Sequence, residues 1–227
     1  MKIAHLMSTD LQQTYDSPVN RAVVEAVGKS PGRILDLGCG TGSNGRALTQ
    51  FATASVGITW SPDEATQARR VFDEVHTFDL ERGIPDELHG PIDTIVASHV
   101  LEHLREPPTL LRALHRVMTP QSQLIVALPN LLNYRYRWEL MRGRLEYQDT
   151  GVLDRTHYRF FTFESATRLL RESGFDVVDR WAEGSLPMGP LRPLVGALAK
   201  PIDARASKAF PGLFGGQLLY RAKLTAR

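Results

Sequence analysis

The sequence predicts an α/β fold: a mostly parallel sheet with helices on both faces. Two observations carry the prediction. From Ile34 to Leu128, short apolar runs alternate with segments of helical periodicity, the rhythm of strand–helix–strand units. The first of those runs, Ile34-Leu35-Asp36-Leu37, breaks into glycines at 38, 40 and 42, the punctuation of a tight turn from a buried strand into a helix. A chain of 227 residues is long enough for one such domain with a real core, and it is read as a single domain over 1–227.

Taken in order, residues 1 to 17 are polar and are expected to form an arm that folds over a ligand. Pro18 to Lys29 spaces Val19, Ala22, Val23, Ala26 and Val27 on one helical face, and Ser30-Pro31-Gly32 ends that helix. After the glycine turn, Asn44 to Gln50 reads as a helix and Ala54 to Thr59 as a second buried strand. Ser61-Pro62-Asp63-Glu64 opens the next helix, with Ser61 as cap, proline in the first turn and Glu64 completing a capping box. Glu74 to Phe78 and Ile92 to Ser98 are strands, Glu106 to Met118 is a helix, and Gln123 to Leu128 is the fifth strand. Right-handed crossovers bring the C-terminal ends of parallel strands to one rim, so Gly38, Thr59, Asp79 and Ser98 are expected to meet in one crevice.

Residues 131–162 break the rhythm: four of the six tyrosines fall there, with Trp138, Phe160, Phe161 and six arginines. The segment is read as a lid on the acceptor side of the crevice. A helix from Phe163 or Glu164 to Ser173 follows, then a strand from Phe175 to Trp181. An insert over 184–215 with an amphipathic piece near Leu194 to Phe210 comes next, and Gln217 to Leu224 is the seventh strand.

Composition excludes several classes. The net charge of +2 does not call for nucleic acid or an anionic surface as partner. No stretch approaches the roughly 20 apolar residues of a membrane span. The one cysteine, Cys39, has no internal disulfide partner, and a cytoplasmic location is expected. A homodimer is left open.

The glycine turn and the strand rim imply a nucleotide-type cofactor. The run Ile34 to Gly42, I-L-D-L-G-C-G-T-G, resembles motif I of the class I S-adenosylmethionine (SAM) methyltransferases. Asp93 to Leu104, D-T-I-V-A-S-H-V-L-E-H-L, and the later runs L-P-N-L-L-N-Y-R-Y-R-W-E-L, T-H-Y-R-F-F-T and G-F-D-V-V are similar to those of ubiquinone-type O-methyltransferases and MetW-like proteins. The resemblance implies a seven-stranded Rossmann-like sheet with an antiparallel last strand, SAM as cofactor and S-adenosylhomocysteine as product. It places the cofactor against Asp36, the turn Gly38, Cys39, Gly40 and Gly42, Ser98, and Asp79-Leu80, whose carboxylate would take the adenine amine. At the usual acidic ribose position stands Thr59, as in cyclopropane-fatty-acid synthases, where a residue five further on, here Glu64, helps hold the ribose; Trp60 would lie on the adenine face.

Methyl transfer to a hydroxyl requires loss of a proton, for which a base near neutral pKa serves. His99, His103 and His157 are the candidates, with His103 and His157 preferred and unranked between themselves. Tyr134, Arg137, Tyr158 and Arg159 of the lid are the candidate acceptor contacts, suited to a saccharide or nucleotide-sugar-derived small molecule. No metal ligand set is assigned. A divalent ion on His99-x-x-Glu102-His103, by analogy with the E-x-x-E-H run of the ubiquinone branch, is the less favoured alternative. The expected function is O-methylation. The alternatives are an accessory MetW-like protein acting through a partner enzyme, and methylation at nitrogen or carbon.

Overall fold

The computed structural model describes residues 18–189 and 192–226, so the expected N-terminal arm over 1–17 lies outside the described residues. Seven strands form one sheet: β1 (Arg33–Leu37), β2 (Ala54–Thr59), β3 (Glu74–Thr77), β4 (Ile92–Ser98), β5 (Met118–Pro129), β6 (Phe175–Gly184) and β7 (Gly215–Leu224). Their order is β3-β2-β1-β4-β5-β7-β6. β1 to β5 pair in parallel, and β7 runs antiparallel between β5 and β6. The strand order reverses beside β1, so the crevice at its C-terminal end is the switch point where α/β sheets bind ligands.

The helices follow the sequence pattern, with shorter bounds. They are α1 (Arg21–Val27), α2 (Gly45–Leu48), α3 (Pro62–Ala68), α4 (Pro107–Ala113), α5 (Tyr134–Met141), α6 (Phe163–Glu172), α7 (Arg192–Val195), α8 (Ala199–Ala209) and α9 (Pro211–Phe214). The expected helix from Glu106 to Met118 ends early because Leu114–Arg116 tightens into a 3-10 turn and Met118 already belongs to β5. The helix expected to run to Gln50 ends likewise, with Thr49–Phe51 in a 3-10 turn. Caps explain several starts: the side chain of Asn20 accepts from Val23 N–H, and Thr162 and Ser165 form a reciprocal capping box at α6.

Strand alternation sorts the core. Leu35, Leu37, Ile95 and Ala97 face one layer with Leu110 and Leu111 of α4 and Leu170 of α6. Ile34 and Val96 face the other, beneath Ala22, Val23, Ala26 and Val27 of α1. Asp36, two residues after Ile34, therefore points into the α1 side of the sheet. The wholly buried Tyr220 shows that β7 is an interior strand, which accounts for its apolar character.

Candidate active site

The glycine turn after β1 has the backbone its sequence demands. Gly38, Gly40 and Gly42 have φ of +65°, +53° and +92°, the left-handed region that only glycine enters without strain. A Cβ on Gly38 would lie 2.8 Å from Val100 Cγ2, so the turn sits directly against the chain that leaves β4. Cys39 has a different part from the one expected. Its N–H is committed to the Ile58 carbonyl (2.9 Å), and its side chain packs with Ala68 and Phe72 under the turn. Burial, reinforced by the nearby Asp36 and Glu64 carboxylates, pushes its thiol far up, so it is a packing group.

Asp36 is 2 % exposed, and its Oδ2 has no hydrogen-bond partner. Burial alone raises its carboxyl to about 7. A buried acid so placed is costly unless a cation or donor arrives to meet it. At the end of β2, Thr59 Oγ1 donates to Glu64 Oε2 over 2.6 Å, and both side chains are buried. The five-residue spacing thus brings the two ribose candidates into one pair. Ser61 accepts from the Glu64 N–H, the first half of the expected capping box, while the Glu64 carboxylate is engaged with Thr59. Trp60 follows on the rim, more than half exposed. Asp79 Oδ1 accepts from Glu81 N–H, which caps the 3-10 turn Leu80–Arg82 and commits one of its two oxygens.

Past β4 lies a polar chain. His99 is the one non-glycine residue with positive φ among the described residues, at +56°. Backbone strain of this kind gathers at functional sites. Its Nδ1 is 3.2 Å from Glu102 Oε1 and its Nε2 is 3.2 Å from Gln217 Oε1. Desolvation pulls the His99 pKa down, but the bond to Glu102, its charge and the Gln217 contact outweigh it and leave the pKa above the ordinary value. Glu102 is fully buried, and its Oε2 has no partner. The chain continues through Asn20, whose Nδ2 donates to Gln217 Oε1 (2.8 Å) and Ser98 Oγ (3.4 Å) and whose N–H reaches Asn44 Oδ1 (2.8 Å). It joins four segments of the chain at the rim.

His103 and His157 stand together one turn on, their rings edge to face with centroids 4.6 Å apart. Thr156 Oγ1 donates to Asp154 (2.7 Å) and lies 3.0 Å from His103 Nδ1, while His157 Nδ1 donates to the Val152 carbonyl (2.9 Å). Desolvation is the largest influence on His103, and its pKa lies below the ordinary value. The backbone N–H groups of Tyr158 and Arg159 both reach the Glu102 carbonyl. The second half of the lid is thereby fastened onto the turn that carries Glu102 and His103. Glu102, His103 and His157 each offer a ligand atom within 4.8 Å of the others.

The four lid candidates are distributed unevenly. Arg159 is engaged with the Arg105 carbonyl and with Glu106 Oε1 (3.2 Å), a structural use of its guanidinium. Arg137 Nε donates to the Leu132 carbonyl (2.6 Å), and Tyr134 packs beside Phe214 with ring centroids 6.3 Å apart. Tyr158 is more than half exposed under the Arg105 guanidinium, which lies 4.9 Å from its ring centroid. The residues the sequence reading missed at this site are Glu102 as a partner of His99, and Asn20 and Gln217. The available signal was a buried-strand start carrying glutamine and a helix start carrying asparagine.

The comparisons with known proteins bear on this arrangement. The family model described as "Methyltransferase domain" matches residues 7–180. The chain belongs to that family. A ubiquinone biosynthesis O-methyltransferase of Pseudomonas aeruginosa is 26 % identical over 170 residues, covering 68 % of this chain and 69 % of that one. A non-reducing polyketide synthase of Penicillium brasilianum is 28 % identical over 187 residues, 75 % of this chain but only 7 % of that much longer protein. Among solved structures, a SAM-dependent methyltransferase from Archaeoglobus fulgidus superposes with a TM-score of 0.60 at 20 % identity, covering 89 % of this chain and 93 % of that one. The last likeness establishes the seven-stranded methyltransferase fold. The described residues of this methyltransferase domain contain no helix long and apolar enough to cross a membrane.

Proposed function

We propose that this chain transfers a methyl group from SAM to a hydroxyl of a small molecule. The observation that carries the cofactor is the buried Asp36 with its partnerless Oδ2, set behind a turn of three left-handed glycines. These residues fit SAM: Asp36 would receive the methionine ammonium, the Gly38–Gly42 turn would lie under the amino-acid portion, and the Thr59–Glu64 pair would take the ribose hydroxyls. SAM supplies a methyl already activated on a sulfonium. The chain aligns the acceptor oxygen, excludes water and removes the proton.

We assign that last task to His99, in preference to His103 and His157. It directly precedes Val100, the residue that touches Gly38, whereas His103 and His157 are engaged in fastening the lid. Glu102 holds Nδ1, so Nε2 faces the acceptor. As the acceptor oxygen bonds to the methyl carbon, the carbon–sulfur pair returns to sulfur and the hydroxyl proton passes to His99 Nε2. Gln217 Oε1, 3.2 Å from that nitrogen, then accepts from the charged ring. A hydroxyl acceptor accords with the ubiquinone O-methyltransferase relative; the exposed Tyr158 and the lid around it would select the molecule.

Titration calorimetry with SAM tests the cofactor assignment. Because burial raises Asp36 to about 7, it is neutral below that pH in the free protein. The incoming ammonium favours the carboxylate, so binding releases a proton and affinity rises with pH, at most about tenfold per pH unit, levelling off above about 7. Asp36→Asn flattens this profile and weakens binding. Absence of measurable SAM binding, or an unchanged profile in Asp36→Asn, would sink the assignment.

One observation favours a second reading. Glu102, His103 and His157 converge tightly enough to hold a divalent ion, with Glu102 Oε2 unsatisfied. The expected trio His99, Glu102 and His103 is not the one brought together. An ion there would polarise the acceptor oxygen. If it binds, stoichiometric zinc should raise the melting temperature of the wild type and not of His103→Ala/His157→Ala; equal shifts would dismiss it.

A further inference from the structure

The insert between β6 and β7 is amphipathic in the inverted sense. α8 packs on β6, yet the side chains it buries are Ala199, Asp203 and Ser207, small or polar. Its apolar residues face outward: Leu194 of α7 is 82 % exposed, Leu198 at the end of the Gly196–Leu198 turn is 65 % exposed, and Ile202 and Phe210 are exposed as well. Leu194, Leu198 and Ile202 follow one another at four-residue spacing, and the same stripe continues at three-residue spacing through Arg205 and Lys208. Lys200 is exposed beside them. The acidic side chain in this stretch, Asp203, is turned inward and held by the Leu186 N–H (2.9 Å) and the Arg192 guanidinium (2.6 Å). A helix that serves only to cover a sheet would present the opposite arrangement.

We propose that the outward stripe of residues 194–210 is a docking surface for an anionic lipid bilayer, on which this helical insert lies flat. The charge distribution selects that occupant. Large aliphatic and aromatic side chains in line with uncompensated Lys200, Arg205 and Lys208 match an interface of acyl chains beneath negative headgroups. A second copy docked about a two-fold axis would bring the same basic side chains against one another. The insert is tied to the rest of the fold: Asn130 and Asn133, just after β5, both donate to the Gly215 carbonyl (2.8 and 2.9 Å), and α9 lies beside α5 through the Tyr134–Phe214 contact. The proposal concerns where the protein works and does not depend on the identity of the methyl acceptor.

Flotation of the full-length chain with vesicles tests it. The protein is expected to float with vesicles of phosphatidylcholine mixed with phosphatidylglycerol and to stay behind with phosphatidylcholine alone. Leu194→Glu/Leu198→Glu should abolish flotation while SAM titration and melting temperature stay as in the wild type. Arg205→Glu and Lys208→Glu should each weaken it by about fivefold or more, with a shallower salt dependence. Equal recovery with and without anionic lipid, or flotation indifferent to Leu198, would overturn the proposal. So would a wild-type dimer in sedimentation that Leu194→Glu/Leu198→Glu converts to monomer, since a second copy would then cover the stripe.

Discussion

Replacing His99 with asparagine is expected to lower kcat by about 10²–10⁴-fold while leaving SAM affinity within about twofold of the wild type. Asparagine suits the test because it tolerates the +56° φ that His99 adopts better than most residues, so the chain leaving β4 keeps its course. The substitution removes the nitrogen that would take the acceptor proton. Glu102→Gln is expected to cost less, because it leaves the imidazole in place and removes only the charge at Nδ1. The measurement is S-adenosylhomocysteine formation at saturating SAM, with the best acceptor from a screen of catechols, phenols and saccharides. Full turnover in His99→Asn would remove the base from this position and return His103 and His157 to consideration.

The second large effect belongs to the glycine turn. Gly38→Val forces a β-branched side chain into φ +65°, with its Cβ 2.8 Å from Val100 Cγ2. Left-handed backbone costs roughly 1–2 kcal/mol and overpacking about 1–3 kcal/mol. The chain relieves both by moving the turn away from the β4 exit. SAM affinity is expected to fall by at least about 30-fold, the equivalent of about 2 kcal/mol. Gly28→Ala supplies the control. Gly28 has φ +79° and open space around its Cβ position, at the end of α1 and away from the turn. It should lower the melting temperature without changing SAM affinity. Unchanged SAM affinity in Gly38→Val would show that the turn does not cradle the cofactor.

Much of the fold was legible because its signals are local. The run Ile34–Leu37 followed by glycines, the Ser61-Pro62 helix start and the uninterrupted apolar β4 each declare themselves within about ten residues. Helix ends were less legible. α4 stops at Ala113 because Leu114–Arg116 tightens into a 3-10 turn before β5, and no residue in the window announces it. At the site, Thr59 and Glu64 could be suspected together because five residues in a strand-to-helix turn bring them close. The partnership of His99 with Gln217 could not be, because the two are separated by 118 positions and meet only through the order of the sheet.

By itself the sequence determined the strand–helix rhythm, the left-handed glycine turn and hence the family and the cofactor class. These depend on backbone constraints and periodicities that operate over a few residues. Only the tertiary structure decided the rest. Inserting β7 antiparallel between β5 and β6 set Gln217 against His99. Folding the lid onto the Glu102 carbonyl joined His103 to His157. Packing α8 on β6 through its small and polar face left its leucines outward. Each of these joins residues remote in the chain. Their contact free energy comes from burial and charge pairing in three dimensions, to which spacing along one dimension is blind.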